Sequence, residues 1–124
     1  MRNVLWISLG AVVGANLRYF VAQQVAKLTS PGFPWGTLAI NISGSFVLGL
    51  FLVWTTERVI ADPRWRLAIA VGFCGGYTTF SSYAYETFAL MEQRQWGAAL
   101  WNVAGSNLLS LIGVVGGAVV ARSL

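Results

Sequence analysis

From Trp35 to Thr56 the chain carries no charged side chain, and three further stretches are nearly as free of charge: Val4 to Ala26, Leu67 to Tyr85 and Gln95 to Ala121. Each reaches the roughly 20 residues that cross about 30 Å of hydrocarbon as a helix. The reading is therefore an all-α integral membrane protein with four transmembrane helices, over residues 4–26, 35–56, 67–91 and 96–121.

The composition agrees, with 56% hydrophobic and 10% charged residues. The connections are short: Lys27 to Pro34 holds Ser30-Pro31-Gly32, Glu57 to Arg66 holds Asp62-Pro63, and Met91 to Trp96 is a simple turn. Residues 1–124 thus form one membrane domain. Arg2 before an apolar run resembles a signal peptide, but no convincing small-x-small site follows and three more spans do, so a retained helix is expected.

The net charge of +4 comes from cations scattered over loops and span ends. Such scatter suits the lipid bilayer and makes no nucleic-acid surface. Arg2, Arg58, Arg64, Arg66 and Arg122 share one side, against Lys27 and Arg94 on the other, which leans toward both termini in the cytoplasm. One cysteine, Cys74, and no histidine exclude an internal disulfide, a Cys/His zinc site and a histidine triad.

Polar groups inside the apolar stretches mark candidate function. Asn41 and Ser45 stand four apart beside Gly44, on one face of a helix. An Asn in lipid would leave donors and an acceptor unsatisfied at several kcal/mol in rough terms, so it must face protein or water. Taken alone it reads as interhelical glue, worth about 1 kcal/mol. Asn102, Ser106 and Ser110 recur every four residues and make a track, although hydroxyls can also bond back to their own helix. Arg18 is the only charge far inside the first span; it either snorkels or draws an anion to a vestibule. Glu86 closes the uncharged part of the third span with no second carboxylate near it in sequence, so paired-carboxylate chemistry has no support.

Gly10 and Gly14, with Gly113 and Gly117, have the small-xxx-small spacing of close helix contacts. Four helices are too few to enclose a polar route alone, which makes a two-fold dimer the default for a transporter.

The stretch GFCGGYTTFSSYAYE, Gly72 to Glu86, is the least helix-like part of a span. Gly72, Gly75 and Gly76 each disfavour helix by roughly 1 kcal/mol, and Thr78 with Thr79 adds β-branched crowding. A break over Gly75 to Thr78 is expected, and broken helices at membrane depth expose backbone groups that serve as ion sites. Just beyond it, Phe80 and Tyr83 share a face with Thr79, Ser81 and Ser82 beside them. Ring edges are positive and can favour an anion that a carboxylate would repel.

With these residues in view, the chain resembles the Fluc or CrcB fluoride channel family over almost its whole length. The similar elements are Gly14 with Arg18-Tyr19, the run WGTLAINISG from Trp35 to Gly44, and GFCGGYTTFS from Gly72 to Ser81 followed by Glu86. The resemblance implies an antiparallel homodimer of four-span subunits, the third helix broken mid-membrane, in a bacterial inner membrane, with two fluoride pores at the subunit interface. It implies that Asn41 lines the pore, that Phe80 and Tyr83 touch the ion by their ring edges, and that Ser81, Ser82 and Ser110 add hydroxyl donors; the residues themselves add Thr79, beside the aromatic pair, and Ser106, on the track, to the expected pore. Arg18 and Glu86 are expected in a vestibule or an electrostatic role. The carbonyls of Gly75 and Thr78 from both copies would hold a structural sodium, Na+. The implied role is fluoride resistance without covalent chemistry: neutral HF enters from acid surroundings, and fluoride leaves passively.

The chain departs from the family at Tyr83, usually Phe; at Asn102, where an aromatic can stand; and at Val114, where the track can continue with Thr. Two other readings of the residues are a proton-coupled exporter of the small multidrug type, which wants an early embedded carboxylate that the first span lacks, and a noncatalytic assembly subunit.

Overall fold

The computed structural model describes residues 1–59 and 62–124, so part of the connection from Glu57 to Arg66 lies outside the described residues. It is helical throughout, with no strand among the described residues. Helix α1 is Arg2–Leu28 and α2 is Trp35–Val53, continued by a π-helical turn, Trp54–Arg58. A short α3, Pro63–Trp65, leads into a π-helical segment, Arg66–Cys74, and then α4, Gly75–Tyr77. Helices α5, Phe80–Glu92, and α6, Trp96–Ser123, complete the chain. Among the described residues three helices are long and apolar enough to cross a membrane: Arg2–Leu28, Trp35–Arg58 and Trp96–Ser123. The remaining apolar stretch is divided in two.

The helices pack chiefly as two pairs, α2 on α6 and α1 on the Arg66–Tyr77 arm. Glycine explains both. A Cβ at Gly10 would run into the Ala68 carbonyl, and one at Gly72 into the Ile7 carbonyl, so these backbones touch directly. In the other pair, a Cβ at Gly49 would meet the Val114 carbonyl and one at Gly117 the Phe46 carbonyl. Lipid tails are as apolar as leucine, so helix association in a bilayer relies on such close van der Waals fit.

The break does not fall where the glycines suggest. Gly75 and Gly76 are helical, and the chain leaves the helix at Thr78 (φ −81°, ψ 158°) and Thr79 (φ −148°, ψ 120°). Gly72 and Gly76 serve instead the approach to α1, where a Cβ at Gly76 would stand 2.9 Å from the Ala11 carbonyl oxygen. Small size, not backbone freedom, is what these two positions require.

Between α5 and α6 the chain reverses in a Schellman turn: the Gln95 amide donates to the Leu90 carbonyl (2.8 Å) and the Arg94 amide to the Met91 carbonyl (2.9 Å). Arg94 sits at the left-handed position (φ 58°), where glycine is the unstrained residue. Arg94→Gly is expected to raise the unfolding free energy by about 1 kcal/mol, read by denaturant unfolding in detergent.

Candidate anion cavity at the helix break

Asn41 is the residue that organises the break. Its amide nitrogen donates to the Thr79 carbonyl (2.9 Å), and its amide oxygen accepts from the Thr79 N–H (2.8 Å). One side chain thereby gives the Thr79 N–H the acceptor it lost on leaving the helix and adds a second donor to the Thr79 carbonyl, which as N-cap already accepts the first bond of α5. A carboxamide offers a donor and an acceptor side by side without carrying charge. The glue that sequence allowed for Asn41 is therefore specific, joining α2 to the broken arm.

Further bonds finish the break. The Thr79 hydroxyl accepts from the Ser82 amide (3.2 Å) and so caps the start of α5. The Thr78 hydroxyl donates back to the Cys74 carbonyl (2.7 Å). Arg18 donates through Nε to the Gly76 carbonyl (3.1 Å), at the end of α4. A cation beside the outgoing carbonyls of a helix is electrostatically favourable, and Arg18 thus bonds protein at the break.

Against this break lies a cavity of about 280 Å³, lined by Asn41, Gly44, Ser45, Thr78 and Thr79 together with Phe80, Tyr83, Ser106, Asn107 and Ser110. No charged side chain lines it. The Phe80 and Tyr83 rings meet edge to face, with centroids 5.4 Å apart and planes at 62°. Phe80 is 77% exposed, so most of its ring is open to whatever lies beside this chain. Among the described residues the hydroxyls of Ser45 and Ser110 have no protein hydrogen-bond partner. A cavity with such walls offers neutral O–H and N–H donors and positive ring edges, and no fixed charge to trap an ion.

Six of the eight residues expected at the pore come together here: Asn41, Thr79, Phe80, Tyr83, Ser106 and Ser110. Ser81 and Ser82 are not in the lining; Ser81 turns its hydroxyl to Thr79 (3.4 Å), and Ser82 gives its amide to the same oxygen. Glu86 lies apart, in a second cavity of about 300 Å³, where its carboxylate accepts from the Thr37 hydroxyl (2.7 Å). Asn102 is buried behind the track, donating to the Thr87 hydroxyl (2.8 Å) and accepting from Ser106 (3.3 Å), and it ties α6 to α5. Two lining residues were missed as site members. Ser45 had the signal of standing on the Asn41 face, and Asn107 had that of an amide in an apolar span.

These features define an all-helical, multi-pass membrane protein with a neutral polar cavity at a helix break. A comparison with family models matches residues 5–118 to "CrcB-like protein, Camphor Resistance (CrcB)". The chain belongs to the CrcB family, and it is a multi-pass protein of a bacterial membrane. It is 58% identical over 124 residues to a protein of Koribacter versatilis (strain Ellin345), covering 100% of this chain and 98% of that one. It is 42% identical to one of Sulfurihydrogenibium sp. (strain YO3AOP1) and 40% identical to one of Geobacter sulfurreducens, each covering 100% of both chains. All three relatives are named "Fluoride-specific ion channel FluC", as channels and not as enzymes.

Proposed function

We propose that this protein is a fluoride channel that exports cytoplasmic fluoride passively across the bacterial inner membrane. It works as an antiparallel homodimer of four-span subunits, with a pore along each of two equivalent cavities. The observation that carries the reading is the cavity at the break, neutral and hydroxyl-lined, in a chain whose relatives bear the fluoride channel name. Glu86 lies in a different cavity from Asn41, which leaves the polar track without the carboxylate that a proton-coupled exporter wants.

Fluoride holds its water strongly, so a pore must replace that water without binding the ion too well. Asn41 spends one amide hydrogen on Thr79 and keeps its second for an anion. The free hydroxyls of Ser45 and Ser110 continue the series, and the open edge of Phe80 supplies the apolar end of the same site. Each contact compensates part of the hydration, and none is a fixed cation. A second copy against the exposed side of Phe80 would close the route from lipid. Antiparallel assembly sets half the copies against the arginine bias counted above.

The break also suits the structural sodium that the family resemblance implies. The Gly75 carbonyl loses its helical donor, because the Thr79 N–H is taken by Asn41, and Thr78 is extended. A Cβ at Gly75 would meet nothing within 4 Å. Carbonyl oxygens left without donors are ligands for a hard cation. The carbonyls of Gly75 and Thr78, from this chain and a two-fold copy, would hold it. Bound there, the ion would supply a fixed positive charge that joins the two breaks.

Purified protein in liposomes loaded with fluoride tests the proposal. Efflux is expected once an ionophore supplies countercurrent, and negligible without it. No efflux, or efflux strictly tied to protons, would sink the channel. Phe80→Ile is expected to reduce fluoride efflux at least a hundredfold, in rough terms about 3 kcal/mol, with the oligomer unchanged on gel filtration. Unchanged efflux would remove the ring-edge contact.

A further inference from the structure

Tyr83 has a hydroxyl, and its one protein partner among the described residues is Asn107, whose Nδ2 lies 3.1 Å away. The direction of this bond is set by a third group. The same Nδ2 lies 2.7 Å from the Val103 carbonyl, which can only accept. The atom there must be the amide nitrogen, since the reverse amide orientation would press two oxygens together. Asn107 therefore spends one hydrogen on Val103 and the other on the Tyr83 oxygen. The hydroxyl is an acceptor in this bond, and its own proton is left without a protein acceptor.

Both side chains line the cavity at the break. A phenol oxygen that accepts one hydrogen bond becomes the better donor for a second, because bonds in a chain polarise one another. From this geometry we infer that the Tyr83 hydroxyl is an anion-binding donor inside the cavity, with Asn107 as the positioning residue that holds it in donor orientation. This rests on the channel reading and deepens it. The ligand is a small hard anion, fluoride in the proposed role, taken by an O–H bond in addition to any ring-edge contact. Asn107 is exposed on the single chain, and an amide exposed within a span needs a cavity or a protein surface around it.

The test uses the intact protein in liposomes, with initial fluoride efflux measured against internal fluoride concentration. Tyr83→Phe keeps the ring and removes only the donor; it is expected to raise the half-saturating concentration about tenfold while efflux at saturation persists. Asn107→Leu is expected to raise it in the native background and to add nothing in the Tyr83→Phe background, since the two residues act through one proton. An unchanged half-saturating concentration in Tyr83→Phe would overturn the inference, while the channel reading would stand on the wild-type efflux. Equal, additive effects of Asn107→Leu in both backgrounds would also overturn it, leaving Asn107 a packing residue. Wild-type protein that moves no fluoride would remove the channel reading and this inference together.

Discussion

Asn41→Leu is expected to lower the unfolding free energy by roughly 2–4 kcal/mol and to abolish fluoride efflux. The size follows from what is orphaned. Leucine leaves the Thr79 N–H without a partner, at about 1–3 kcal/mol when buried, and removes the second bond to the Thr79 carbonyl, at about 1 kcal/mol. The chain cannot recover the N–H bond by returning to helix, because Thr78 and Thr79 are held extended and the Thr79 hydroxyl caps α5. Asn41→Asp is the sharper companion. It keeps an acceptor for the Thr79 N–H but sets a carboxylate oxygen against the Thr79 carbonyl, so its destabilisation is expected to approach that of leucine. Denaturant unfolding in detergent reads the stability, and amide exchange at Thr79 reads the break itself. A leucine variant with native stability and a protected Thr79 amide would show that Asn41 is not the clamp.

Gly10→Leu carries the other large effect, an expected loss of about 3 kcal/mol or more. A Cβ there would collide with the Ala68 carbonyl oxygen and stand 2.7 Å from the Phe73 nitrogen. Both are backbone atoms that cannot swing aside, so α1 must move off the Arg66–Tyr77 arm, beyond the 1–3 kcal/mol usual for overpacking. That movement would also draw Arg18 from the Gly76 carbonyl, so efflux is expected to fall with stability. Gly105→Ala is the contrast, because nothing lies within 4 Å of a Cβ at that helical position. It is expected to gain roughly 0.5–1 kcal/mol from reduced chain entropy in the unfolded state. Equal effects at the two positions would remove the close-contact account of the α1 pairing.

How far the chain could be read in advance varied by residue. Asn41, Phe80 and Ser110 were visible because an amide, a hydroxyl track and an aromatic pair are each costly or unusual within hydrocarbon. The family resemblance added the expected ion. The glycines misled about the break, since Gly72 and Gly76 disfavour helix in isolation yet serve helix contact here. Ser81 and Ser82 share the sequence neighbourhood of the cavity but not its lining, because a helix turns adjacent side chains by about 100°. Asn107 gave only the weak signal of one more amide in a span.

By itself, the sequence determined that the chain lives in a membrane as helices and that its few polar side chains must turn inward. Hydrocarbon leaves unpaired backbone and side-chain polar groups no other partner, and that constraint is written residue by residue in hydropathy. Only the tertiary structure decided where the broken arm opens, which hydroxyls face the cavity and which way the Tyr83 hydroxyl points. Those depend on partners far away in the chain: Asn41 meets Thr79 across 38 positions, and Asn107 meets Tyr83 across 24. A hydrogen bond needs its two groups within about 3 Å, and no local pattern states which distant residues packing will bring that close.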